Sequence, residues 1–145
     1  GEQLPFEDES FDIVISRDVT WMLMEPEKTL EQWFSKVRPG GRLMYFDANW
    51  YGYLKDREET KKYKEFRKFV RERKGFVYAS AVEMEKIAAH LPFTYRDRPK
   101  WDLDYWKIYR KKKVYCREML NPEIYSQMEQ LQYAQTPEFL VVVEK

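Results

Sequence analysis

A chain of 145 residues has the length of one domain and is long enough to bury a sizeable core. Its 26 basic and 25 acidic groups leave a formal net charge of +1, which argues against a general attraction to nucleic acid or to anionic lipid. One cysteine, Cys116, excludes an intramolecular disulfide, and one histidine, His90, excludes the Cys/His zinc frameworks, so no metal site is expected. No apolar run approaches the ~20 residues that cross a bilayer. The expectation is a soluble protein of a reducing, cytoplasmic compartment, without a membrane partner.

Residues 1–49 hold 5 basic and 10 acidic groups, whereas residues 50–145 hold 21 and 15. The chain opens on Gly1 rather than Met and runs at once into a structured-looking segment, so it is expected to begin within a domain. Phe11 to Ser16 is short, nearly continuous in apolar residues and rich in β-branched ones, which suits a strand buried on both faces of a parallel sheet. Pro26 stands at a first helical position, and Leu30, Trp33, Phe34 and Val37 follow at helical spacing until Pro39-Gly40-Gly41, which is expected to stop the helix. Arg42 to Asp47 is a second strand, and strand, helix, turn and strand form a parallel crossover.

Residues 56–74 are helical in pattern, with an apolar stripe of Tyr63, Phe66, Phe69 and Val70, and Gly75 is expected to end that helix. Ser80-Ala81-Val82-Glu83 has capping-box spacing before a short helix through Met84, Ile87, Ala88 and Leu91. A third helix is expected over 101–109. Lys113 to Arg117 reads as a strand with Val114 and Cys116 on one face. A further helix opens at Asn121-Pro122 with Ile124, Met128 and Leu131 inward. Phe139 to Val143 is a closing strand.

Leu4-Pro5-Phe6, Asp8, Ser10-Phe11-Asp12 and Val14, followed by Pro39-Gly40-Gly41 and Leu43, resemble the class I S-adenosylmethionine (SAM)-dependent methyltransferases, in the branch that includes the ubiquinone/menaquinone-biosynthesis type. Asp47-Ala48-Asn49-Trp50-Tyr51 and Thr136-Pro137 before Phe139-Leu140 are similar to small-molecule members of that family. The resemblance implies an α/β, Rossmann-like sheet of strand order 3-2-1-4-5-7-6 with the last strand antiparallel. On that template 11–16 is strand four, 42–47 strand five, 112–117 strand six and 139–144 strand seven. Residues 1–145 would be the C-terminal part of one methyltransferase domain, with 50–98 and 118–136 inserted as a helical cap over the substrate. The five glycines, Gly1, Gly40, Gly41, Gly52 and Gly75, form no G-x-G turn of the kind that cradles the cofactor, so that element would lie upstream.

The resemblance also implies site residues. Gly1 and Glu2 match the tail of the adenine clamp, although a frayed terminus is the simpler reading of them. Ser16 and Arg17 would line the cofactor, and Asp18 the reaction pocket; the structural alternative is a strand-end turn with a surface ion pair. Asp47 and Tyr51, with Asp18, are the candidate catalytic groups, able to orient a nucleophile or take its proton. Trp21, Asn49 and Trp50 would bind the acceptor; a capped turn with aromatics packed under the insert explains Asp47, Asn49, Trp50 and Tyr51 equally, and core packing is the commoner use of any one aromatic such as Trp21 or Trp50. His90, near a helix end, and Cys116, on a strand, read as structural residues.

The implied activity is SAM-dependent methyl transfer to a small-molecule acceptor in the intact protein, with this portion inactive alone. The competing reading is a non-catalytic assembly module, a homodimer through strand 11–16, which would otherwise be a bare apolar edge. Nucleic-acid binding through the basic helix over 55–74, with ten basic and five acidic groups, is a third reading that the balanced total charge disfavours.

Overall fold

The computed structural model describes residues 4–73 and 81–145. Among these residues four strands form one open sheet in the order β1-β2-β4-β3: β1 (Phe11–Arg17), β2 (Val37–Asp47), β3 (Lys113–Arg117) and β4 (Phe139–Glu144). β1 runs parallel to β2, and β4 runs antiparallel to both β2 and β3. This is the expected order for strands four, five, seven and six, with the last strand reversed.

Among the described residues six α-helices decorate the sheet: α1 (Pro26–Ser35), α2 (Arg57–Glu72), α3 (Ala81–Ala88), α4 (Lys100–Asp104), α5 (Asn121–Ile124) and α6 (Gln127–Gln132). α1 starts on its proline, whose missing N–H costs nothing in a first turn. Its Leu30 and Phe34 meet Leu43 and Tyr45 of β2, Phe139, Val141 and Val143 of β4, and Trp106 in one core. Fully burying an aromatic or branched side chain there is worth roughly 1.5–3 kcal/mol.

The structure corrects several sequence expectations. α1 ends at Ser35, and Val37 already belongs to β2. Pro39-Gly40-Gly41 therefore forms a bulge within β2, where the register jumps from Phe11–Val37 to Ile13–Arg42. Gly40 has φ +81°, and a Cβ on Gly41 would stand 2.4 Å from the Asp12 carbonyl oxygen. β1 is buried on one face only, because nothing among the described residues covers the other; Ile13 is 55% and Ile15 64% exposed.

The helix expected over 101–109 begins at Lys100 and widens into a π turn at Tyr105–Tyr109. The single helix expected from Asn121 is two. Tyr125 is extended between them, and Ser126 caps α6 through a reciprocal bond with Glu129. Met128 is accordingly 46% exposed rather than inward. The expected cap at Ser80 and helix stop at Gly75 lie outside the described residues. His90 is exposed after α3, with its Nδ1 2.8 Å from the Lys86 carbonyl. Cys116 is half-buried on β3, and burial pushes its thiol up to about 11, consistent with an unreactive packing role.

Candidate active site

Parallel β1 and β2 end side by side, with Arg17 opposite Phe46 and Asp47 following. In open α/β sheets ligands bind outside such carboxyl ends. Beyond β1 the chain reverses through Asp18, which takes a left-handed φ of +56°. That conformation is costly for a side chain with a Cβ. Two bonds hold it: the Asp18 amide donates to the Phe46 carbonyl at 3.0 Å, and the Trp21 indole donates to the Asp18 carbonyl at 3.0 Å.

The reversal delivers a one-turn 3₁₀ segment, Thr20–Met22, to Asp47. Asp47 is fully buried. Its carboxylate accepts from the Thr20 hydroxyl, the Trp21 amide (2.7 Å), the Ala48 amide (2.8 Å), the Trp50 indole (2.9 Å) and Arg98 (3.0 Å). Arg98, itself 3% exposed, also forms a two-pronged pair with Asp102 at 2.9 Å on each prong. Asp102 accepts from Tyr45, which in turn accepts from the Trp106 indole at 3.1 Å. The guanidinium lies over the Phe93 ring at 3.9 Å. A network of this kind is rigid because each charged group in it takes part in several directed hydrogen bonds.

Asp47 reads from the sequence either as a group that orients a nucleophile or takes its proton, or as part of a capped turn. Both of its oxygens are filled by protein donors, so it cannot bond an acceptor without dismantling the network. It holds Trp21 and Trp50 in place instead. Tyr51 packs against Trp21 with ring centroids 5.0 Å apart, and burial, with the nearby Tyr63, raises its phenol above the ordinary value.

Asp18 differs from both. Its Oδ1 is buried without a hydrogen-bond partner, and its Oδ2 lies 3.5 Å from Arg17. Burial, then the charges of Glu138 and Asp47, raise its carboxyl to about 6 against the opposing pull of Arg17. Arg17 also pairs with the fully buried Glu138 at 3.2 Å, and Glu138 accepts from the Tyr125 hydroxyl. Tyr125 touches Tyr133, and Tyr133 meets Trp50 edge-on at 5.6 Å. The contacts therefore close a ring: Asp18, Trp21, Asp47, Trp50, Tyr133, Tyr125, Glu138, Arg17 and back to Asp18. Glu138 Oε1, the Ser16 hydroxyl and the Asn49 carbonyl oxygen are also buried without a hydrogen-bond partner. The Asn49 amide donates to the Arg98 carbonyl at 2.7 Å.

Ser16, Arg17, Asp18, Trp21, Asp47, Asn49, Trp50 and Tyr51 thus gather at one sheet edge. Gly1 and Glu2 lie outside the described residues. Sequence reasoning missed Arg98, Glu138 and Tyr125. Glu138 stands inside the Thr136-Pro137 to Phe139-Leu140 motif and was legible as a charge flanking an apolar strand. Arg98 and Tyr125 carried no such signal.

A family model described as a methyltransferase domain matches residues 1–45. No curated protein matches the chain. Among solved structures, phosphoethanolamine N-methyltransferase 2 of Haemonchus contortus, in complex with phosphomonomethylethanolamine and S-adenosylhomocysteine, superposes with a TM-score of 0.54 at 14% identity, over 97% of this chain and 34% of that one. The same enzyme in complex with SAM gives a TM-score of 0.51, again at 14% identity, over 97% and 34%. The chain spans about a third of the length of these two structures. The α/β sheet of this chain has the fold of the Rossmann-like class I methyltransferases, and its first 45 residues carry the match to the methyltransferase domain.

Proposed function

We propose that the chain forms part of a SAM-dependent methyltransferase acting on a small-molecule acceptor. The observation that carries this reading is the coincidence of the methyltransferase-domain match over residues 1–45 with the strand edge where Ser16, Asp18 and Asn49 bury acceptor atoms without partners. Those atoms fit a cationic, donor-bearing cofactor such as SAM. SAM supplies a methyl group on a sulfonium, already a good leaving group, so the protein's work is alignment.

In this reading Ser16 and Arg17, with Gly1 and Glu2 by resemblance, lie along the cofactor. Trp21, Asn49, Trp50 and Tyr51 wall the acceptor, Asp47 holds the Trp21 amide and the Trp50 indole, and the segment 50–98 covers them. Asp18 Oδ1 and Glu138 Oε1 are the carboxylate oxygens of the ring that accept no hydrogen bond, and of the two Asp18 Oδ1, free of the Arg17 ion pair, is the one this reading assigns to take a proton. Since the sequence holds no G-x-G turn, transfer is expected from a chain extended upstream rather than from these residues alone.

The test is the pH profile of methyl transfer. A base with its carboxyl near 6 is ionised above that value, so the rate should fall as pH drops through about 6. Asp18→Asn should lose that limb and roughly 10²–10⁴-fold in rate. An unchanged rate in the variant removes Asp18 from the chemistry.

A second reading, assembly of two copies, is supported by β1 itself. It is the edge strand of the sheet, with Ile13 and Ile15 exposed. A two-fold antiparallel register centred on Val14 sets Ile13 against Ile15 of the second copy and Phe11 against Arg17, which keeps one apolar face continuous across the joined sheet.

A further inference from the structure

The ring at the sheet edge combines two features that the methyl-transfer reading does not by itself require. The first is charge. Asp18, Asp47, Asp102 and Glu138 face only Arg17 and Arg98 within the joined networks, a formal excess of two negative charges. Arg98 is wholly consumed: its three nitrogens donate to Asp47, Asp102 and Thr20. Arg17 is divided between Asp18 and Glu138. One of the two excess charges belongs to Asp47 and Asp102 around Arg98, and the other is shared by Asp18 and Glu138 around Arg17, where Asp18 Oδ1 and Glu138 Oε1 accept no hydrogen bond. The Asn49 oxygen, whose amide is tied to the Arg98 carbonyl, is a further unfilled acceptor.

The second feature is aromatic. Trp21 and Trp50 are both fastened to Asp47 by hydrogen bonds, through the Trp21 amide and the Trp50 indole. Tyr51 lies against Trp21, and Tyr133 against Trp50. Ring faces held rigidly beside carboxylates attract cations, and substituted ammonium groups most of all, because their charge is spread over apolar surface.

We propose that the acceptor recognised at this edge is a cationic amine, held by Asp18 Oδ1 and Asn49 Oδ1 against the Trp21 and Trp50 indoles. The proposal rests on the methyl-transfer reading and names the substrate class of the same site. A neutral alcohol or phenol would leave the negative excess uncompensated, and an anionic acceptor would be repelled by it. Asp18 also does the chemistry an amine requires. An ammonium has no lone pair until it loses a proton, and that proton passes from its N–H to Asp18 Oδ1, leaving a neutral amine and a neutral carboxyl.

The experiment is an NMR titration of the unaltered chain without cofactor, following the indole N–H resonances of Trp21 and Trp50. The probes are trimethylammonium chloride and tert-butyl alcohol, its neutral counterpart of similar size, with sodium chloride matching ionic strength. The proposal predicts saturable shifts at both indoles with trimethylammonium and at least tenfold weaker response to the alcohol. Affinity should fall at least fivefold in Asp18→Asn. In the unaltered chain it should fall as pH drops through about 6, where Asp18, with Glu138, Asp47, Arg17 and Tyr125 around it, gains a proton. The pH arm decides the matter if the variant fails to fold. Equal response to the alcohol, no saturation, or pH-independent binding would overturn the proposal. Since no SAM is present, failure here leaves methyl transfer standing, and failure of SAM binding leaves this titration unaffected.

Discussion

Arg98 shows how much one side chain can organise. Two buried carboxylates, Asp47 and Asp102, depend on its guanidinium, and Asp47 in turn fixes Trp21 and Trp50. Replacing it with an apolar group leaves both charges buried and uncompensated. Arg98→Met should therefore cost about 3–5 kcal/mol of stability, measured as the shift in a urea midpoint. A loss below about 1 kcal/mol would mean that the network relaxes around the gap. This residue was invisible in the sequence, because its role depends on contacts 78 and 51 positions away, to Thr20 and Asp47. Asp18, Trp21 and Trp50 were legible, because each follows closely on an apolar strand and inherits its place from the strand end. What the sequence could not divide was labour among the carboxylates: Asp47 and Asp18 look alike as letters, and only counting donors separates the saturated one from the open one.

Elements were legible where local chemistry and tertiary demand agree. β1, β3 and β4 lie where their apolar patterns predict, and α2 starts on Asp56, whose side chain accepts from the Glu58 and Glu59 amides. Pro39-Gly40-Gly41 was misread because the same triplet can end a helix or bend a strand; the close approach of Asp12 to Gly41 decides for the bend. At 2.4 Å from backbone there is no soft side chain to yield, so Gly41→Ala should lose about 2 kcal/mol or more, with the β1–β2 amides the first to lose exchange protection. A neutral substitution would show that the bulge can slide. Tyr125 was read as one turn of a longer helix. The break at Ser126 instead frees it to reach Glu138, a tertiary gain that no helical period announces.

At the scale of the whole molecule, strand order and direction followed from the resemblance, while the unequal burial of the two sheet faces did not follow from the apolar run of β1. Core aromatics fill the face under α1 and α4, and Ile13 and Ile15 stand open on the other. Light scattering should report a dimer that Ile15→Lys converts to monomer, because a charge at the pairing edge blocks strand addition. A monomer before substitution would contradict the assembly reading.

The central claim is that the edge of β1 and β2 is a SAM site. Its most direct test is calorimetric titration of SAM into the 145 residues, and into the same chain extended upstream by roughly one hundred residues, the span to a single α/β domain of about 250. The account predicts one-site binding by the extended chain, with little or none by the shorter one. Absence of binding by both would leave a methyltransferase fold without a methyltransferase site and would contradict the account.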